Sequence, residues 1–408
     1  RHIAGAGGGK GAVNSSASVN SVAVARDQSG SASRSSKPIA HHGGPVMRDT
    51  VNIYYIWYGN WSTSNAEGIL TNLAQHIGGS PYYAINTTYS DASGPVIGAV
   101  AYGGLATDNY SHGTALSQAD VEEIVERSFD NGLPLDSNGI YFVLTSSDVS
   151  QTRDGRSFCT NFCGWHNYTV LRGTDIKYSF VGDPSTCLAS CAAQTTSPNG
   201  NAGADAMAST LAHELSETVT DPHLDAWYDA DGEENADKCS WTFGSEYTSG
   251  SARANVRLGA RDYLLQQNWL NSSSNACALA GPPAYAISFS EIDDEVFVWN
   301  GTDASKMDNA IIHRGLKANE TISLAKLVGS FDSPREITVK ILNSGCLNSG
   351  GNISILESGK PSWSHSEAQL VRHCGWIYRV ALRLNPDRTV AVLDEQGCVN
   401  DFDPLCAR

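Results

Sequence analysis

The chain has 408 residues, with 43 acidic against 27 basic side chains and a formal charge of −16. That excess of negative charge speaks against nucleic acid or an anionic membrane as partner, because phosphate binding needs a basic face. The 41% of hydrophobic residues supplies ordinary globular cores for two or three domains, and no apolar run reaches the ~18 residues of a membrane span.

Residues 1–45 are dominated by Gly, Ser, Ala and Asn and read as a low-complexity arm or pro-segment, with His41 and His42 as solvated linker histidines. The start at Arg1 fits a mature form that has lost a signal peptide. Val51 to Tyr58 is rich in β-branched and aromatic residues and predicts a core strand. Thr63 to Ile77 predicts a helix ending at Gly78-Gly79, and Ser117 to Phe129 predicts another with Ser117 as N-cap. Gly139 to Thr145 reads as a buried strand, followed by shorter ones at Tyr168–Leu171 and Ile176–Val181. From Asp205 to Thr220 the pattern is helical, with Met207, Leu211, Leu215 and Val219 as a buried stripe. This order predicts an α/β (α+β) zincin-like domain over residues 46–282. After Gly281-Pro282-Pro283 the texture changes to alternating segments such as Ala286–Phe289, Val296–Trp299, Ile337–Leu342, Ile353–Leu356, Trp376–Leu384 and Val390–Leu393. Residues 283–408 are therefore expected to form an antiparallel β-sandwich.

Ten cysteines divide into Cys159, Cys163, Cys187, Cys191, Cys239 and Cys277, then Cys346, Cys374, Cys398 and Cys406. Three disulfides in the first group and two in the second are expected, with connectivity open. Nine sequons, at Asn14, Asn60, Asn86, Asn109, Asn167, Asn271, Asn300, Asn319 and Asn352, point the same way, to a secreted glycoprotein. In an oxidising compartment disulfides are favoured over a structural zinc site built on Cys159, Cys163 and His166.

The segment His213-Glu214-Leu215-Ser216-Glu217 reads HExxE, close to the HExxH signature of metzincin peptidases. His213 and Glu217 are four residues apart, so a helix presents both from one face, with Glu214 beside them. Pro222 ends the helix at Asp221 and lets His223 turn back as a third ligand. Zinc on such a site would acidify a bound water, and Glu214 would take its proton as general base.

Residues 46–280 resemble the exordium (phosphate-induced) family of secreted proteins. The resemblance rests on Trp57-Tyr58-Gly59-Asn60-Trp61, Tyr110-Ser111-His112-Gly113, Gly139 to Val149, Phe158-Cys159 through Cys163-Gly164-Trp165-His166, and Val181-Gly182-Asp183 before Cys187 and Cys191. HELxETxTDP followed by Trp227-Tyr228-Asp229, Gly232, Glu234 and Asp237-Lys238-Cys239 looks like a microbial branch with an intact motif. That likeness makes Asp237 a rival to His223 for third ligand. Beyond it, Ser290 to Gly301 with Ile337 to Lys340 looks similar to galactose-binding-like jelly rolls, modules that often bind glycans and hold calcium. The expected function is a secreted zinc-dependent metallopeptidase acting on peptide or protein substrates. The alternative is a non-enzymatic wall or matrix glycoprotein that binds glycans or self-associates.

Overall fold

The computed structural model describes residues 37–272, 275–290, 295–303, 310–313, 320–328, 333–342, 352–357, 360–366 and 377–398. It is a mixed α/β chain dominated by strands. The first region comprises β1 (Val51–Tyr58), α1 (Ala66–Ile77), β2 (Val100–Asp108), α2 (Gln118–Asp130), β3 (Gly139–Thr145), β4 (Gly164–Leu171), β5 (Thr174–Gly182) and α3 (Ala202–Thr220). One sheet runs in the order β4-β5-β3-β1-β2. The pairs β5/β3, β3/β1 and β1/β2 are parallel, and β4 closes the edge antiparallel to β5.

The alternation in β1 explains how this sheet is covered. Ile53, Tyr55 and Trp57 enter a core shared with α1 and α3, whereas Tyr54, Ile56 and Tyr58 enter a second core shared with α2. A strand buried on both faces needs a continuous apolar run, which VNIYYIWY supplies. Ser117 caps α2 through a full capping box with Asp120.

The fold begins earlier than composition implies. Ala40–His41 pair with Trp227–Tyr228, the ring of His42 stacks on that of Tyr228 at 3.7 Å, and Ile39, Val46 and Met47 are buried. His41 is therefore part of a strand pairing rather than a free linker, although both histidines stay exposed.

The second region contains two antiparallel sheets. One orders Glu320–Ser323, Tyr285–Ser290, Asn352–Glu357 and Lys360–Ser366; the other Ile311–His313, Glu295–Asn300, Arg335–Leu342, Ile377–Leu384 and Val390–Cys398. Inward residues of both, such as Ile287, Ile355, Val298, Val339 and Leu382, share one core. Arg388 ties this region to the turn before it, donating to Gly281 O and pairing with Glu357, each at 2.6 Å.

Three disulfides join Cys159 to Cys187, Cys163 to Cys191 and Cys239 to Cys277, as expected in number for the first group. The side chains of Cys346, Cys374, Cys398 and Cys406 lie outside the described residues, as do Asn14 and Asn319. Of the remaining sequons Asn86 is fully buried and its amide donates to Ser216 Oγ, so that asparagine has no room for a glycan in the fold.

Candidate metal centre

Asn201 caps α3 by accepting from Ala204 N–H, and the helix stops at Asp221 before Pro222. Asp221 Oδ1 then accepts from the N–H groups of Asp225 and Ala226, both at 2.7 Å, folding the chain into a turn. The helix differs from the amphipathic expectation. Its apolar stripe of Met207, Leu211, Leu215 and Val219 enters the core as predicted, yet all its residues except Ala202 and Ser209 are buried. Several polar ones satisfy themselves locally: the hydroxyls of Thr210, Ser216, Thr218 and Thr220 donate to carbonyls four residues back.

Edge strand β4 passes close to that face. A Cβ on Gly164 would stand 2.6 Å from Thr210 and 3.2 Å from Glu214 Oε1, so only glycine lets strand and helix approach this closely. Two residues on, β4 delivers His166, which is fully buried. The segment after the helix delivers Glu234 and Asp237, and the Cys239–Cys277 disulfide anchors it.

Two histidines and four carboxylates converge here. His213 Nε2 lies 3.0 Å from Glu217 Oε1 and 3.5 Å from Asp237 Oδ1, without the alignment of a hydrogen bond. On the other side His166 Nε2 lies 3.1 Å from Glu234 Oε2 and 3.6 Å from Glu217 Oε2. One ligand atom each from His166, Glu214 and Glu217 falls within 4.8 Å of the others, and the same holds for His213, Glu217 and Asp237. Glu217 belongs to both groups. Among buried atoms, Glu217 Oε2, Glu234 Oε1 and Asp237 Oδ1 have no hydrogen-bond partner.

Burial and mutual repulsion work against charge on the carboxylates of this cluster. Burial, reinforced by Asp237, pushes Glu217 up to about 7. Burial also raises Asp237, and raises Glu234 well above the carboxylate range with help from Glu217. His166 is held well below the histidine range by burial and by the buried Arg153, so its imidazole is neutral. Such a cluster needs either protons or a cation.

The motif's own histidine is held by a neighbouring amide. Gln266 Oε1 accepts from Trp241 N–H at 3.0 Å while its Nε2 donates to Ala236 O at 3.0 Å. Those two backbone groups cannot exchange roles, so the amide cannot turn over without opposing donor to donor and acceptor to acceptor. The second N–H of the amide therefore points at His213 Nδ1, 2.8 Å away, and makes that nitrogen the acceptor. In the neutral ring the proton then sits on Nε2, the atom that would have to bind metal.

His223 is not part of the cluster. Its Nε2 bonds Asp175 Oδ2 at 2.9 Å and its ring packs on Tyr168, because the turn made by Asp221 carries the chain towards β5. Of the two rivals for third ligand, the fold brings only Asp237 to His213 and Glu217. The sequence suggested His166 as a ligand only beside Cys159 and Cys163, in a zinc site that the disulfides displace, and gave Glu234 no ligand role. The sole signal available for His166 was its place in Cys163-Gly164-Trp165-His166, which strand pairing rather than spacing brings to the helix. Asp229, from the Trp227-Tyr228-Asp229 piece, forms a buried ion pair with Lys238 at 2.9 Å. A cleft lined by Thr210, His213, Trp241, Phe243 and Gln266 reaches the edge of His213 from the surface.

Residues 39–277 match the family model described as phosphate-induced protein 1 conserved region. The chain belongs to this family. Protein EXORDIUM-like 5 of Arabidopsis thaliana is 30% identical over 284 residues, spanning 59% of this chain and 77% of that protein. Protein EXORDIUM-like 3 of the same plant is 29% identical over 273 residues, or 57% of this chain and 80% of its own. Protein PHOSPHATE-INDUCED 1 of Nicotiana tabacum is 24% identical over 285 residues, or 59% and 88%. The family segment thus covers the first region and the whole candidate centre, and stops before the two antiparallel sheets. Among the described residues no helix is long and apolar enough to cross a membrane.

Proposed function

We propose that this chain is a non-enzymatic extracellular glycoprotein that binds wall or matrix glycans. The observation that carries this reading is closure. Glu214 and Glu217 are 0% exposed, His213 is 2% exposed, and β4 with the 227–239 segment covers the polar face of α3. A catalytic metal keeps a position open to substrate, whereas a structural one is sealed. The disulfides and sequons favour an oxidising, extracellular setting. The cleft beside Trp241 and Phe243 offers partly exposed rings of the kind on which sugars stack. In this reading the C-terminal region, two antiparallel sheets around one core, is a jelly-roll-like β-sandwich. Calcium in this region was expected on nearby acids, of which Glu291, Asp293 and Asp294 lie outside the described residues. The test is binding of the whole glycoprotein to an array of wall polysaccharides, with Trp241→Ala as comparison. Binding weakened by that substitution supports the reading, and no binding to any polysaccharide overturns it.

A second reading keeps the zinc-dependent metallopeptidase, with His213, Glu217 and Asp237 as ligands, Glu214 as base, and the shell around α3 as a zincin-like domain of a microbial branch. The cleft that reaches His213 favours it. It requires the Gln266 amide to turn against two backbone groups. Chelator-sensitive cleavage of casein or a fluorogenic peptide would establish it over the first.

A further inference from the structure

We propose that the chain holds a divalent cation on His166, Glu214, Glu217 and Glu234, with Glu214 as a ligand and His213 outside the coordination sphere. The site lies on the β4 side of the motif helix. A ring nitrogen of His166, a Glu214 oxygen and a Glu217 oxygen are mutually within 4.8 Å, and Glu234 Oε2 stands 3.1 Å from His166 Nε2. All four residues are at most 2% exposed. Two carboxylate oxygens in the group, Glu217 Oε2 and Glu234 Oε1, are buried with no hydrogen-bond partner, which costs several kcal/mol unless a cation takes them up.

His213 is excluded by a separate observation. Gln266, locked by Trp241 N–H and Ala236 O, donates to His213 Nδ1 and leaves the proton on Nε2. That nitrogen lies 3.0 Å from Glu217 Oε1 and 3.5 Å from Asp237 Oδ1, so His213 attracts the far oxygen of the shared carboxylate while Oε2 turns to the cation. Ligating groups are commonly oriented by such outer partners. Charge agrees. Glu214, Glu217 and Glu234 bring three negative charges, and Arg153, whose field reaches Glu214, offsets one. A divalent ion balances the remainder. One imidazole with three carboxylates is a hard, oxygen-rich donor set, which suits manganese(II) better than zinc.

The test is elemental analysis of the native, full-length glycoprotein and three variants, with the ion located by anomalous scattering in crystals of the wild type. One cation per chain is expected, lying between His166 and Glu214. His166→Ala and the isosteric Glu214→Gln should each lower occupancy and Mn²⁺ affinity roughly tenfold or more, because even outer partners change affinity by that much. His213→Gln should retain the ion. The motif-based assignment predicts the reverse, with metal kept in Glu214→Gln and lost in His213→Gln. That reverse pattern, loss in all three variants, or a wild type without a cation would each overturn the proposal. Should Glu214→Gln fail to fold, the position of the anomalous peak decides. None of these readouts involves glycan binding or peptide cleavage, so the result stands apart from both functional readings.

Discussion

The two regions solve the problem of a core in opposite ways. Around Ile287, Val298, Val339 and Leu382 the C-terminal sheets bury almost nothing but aliphatic and aromatic side chains, and the described polar exceptions there are Thr338 and Glu357. The family region instead buries His166, His213, Glu214, Glu217, Asp229, Glu234 and Lys238 within the same shell as its apolar clusters. An aliphatic core tolerates small losses of volume gradually. A core of paired charge fails sharply when one partner goes, because the other is left without water or counter-charge.

That contrast can be broken most forcefully at Lys238. Its ammonium lies 2.9 Å from Asp229, both side chains being fully buried, and 4.9 Å from the centre of the half-buried Trp269 ring. Lys238→Met should cost about 3–5 kcal/mol by leaving Asp229 buried and unpaired. Urea unfolding followed by fluorescence should show the transition of the family region moving to lower denaturant, with that of the C-terminal sheets in place.

Asp221 tests the same region through pH. Burial raises its carboxyl to about 7 from an ordinary value of 3.8. Between these values the folded chain keeps a proton that the unfolded chain has released. Stability therefore falls as pH rises from about 4 to about 7 and levels off above. Asp221→Asn keeps an acceptor for Asp225 and Ala226 N–H and removes the fall. It should gain up to about 4 kcal/mol at pH 8 and nothing at pH 4, measured as melting temperature against pH.

Gly164→Ala sharpens the comparison geometrically. The added methyl meets Thr210 and the Glu214 carboxylate, and overpacking of this kind costs about 1–3 kcal/mol. Cation content should drop with stability, since the substitution wedges β4 from α3. In the other region, Ile355→Val removes one methylene from an all-apolar core. It should cost only about 1 kcal/mol and leave the pH profile unchanged.

Much of the framework was legible in the residues. The strands Val51–Tyr58 and Gly139–Thr145 and the helix capped by Ser117 fall where periodicity and capping put them. The hairpin of β4 and β5 was underestimated because Gly164, His166 and Asn167 break its apolar pattern for reasons of the site. The burial of the polar face of α3 was not legible, since a period of 3.6 separates apolar from polar but not exposed from buried. His213, Glu214 and Glu217 could be grouped because helix spacing is local, whereas Asp237 stood out only through the family likeness. His166 and Glu234 arrive through strand order and a long connection, for which no short-range pattern exists. His223 failed for the complementary reason: proximity in sequence said nothing of the turn that Asp221 imposes.

The buried asparagine at position 86 has a consequence for biogenesis. Asn86-Thr87-Thr88 is a valid acceptor while the chain is extended, yet in the fold its amide lies against Ser216, 130 residues further on. Sugar transfer and docking of the motif helix are thus mutually exclusive fates for one side chain. A molecule modified there before α3 is synthesised can no longer close its core and becomes a substrate for quality control. Secreted material should therefore carry no glycan at Asn86, whatever the occupancy at exposed Asn60 and Asn109. Slowing translation downstream of residue 88 should trade yield for misglycosylated chains retained inside the cell.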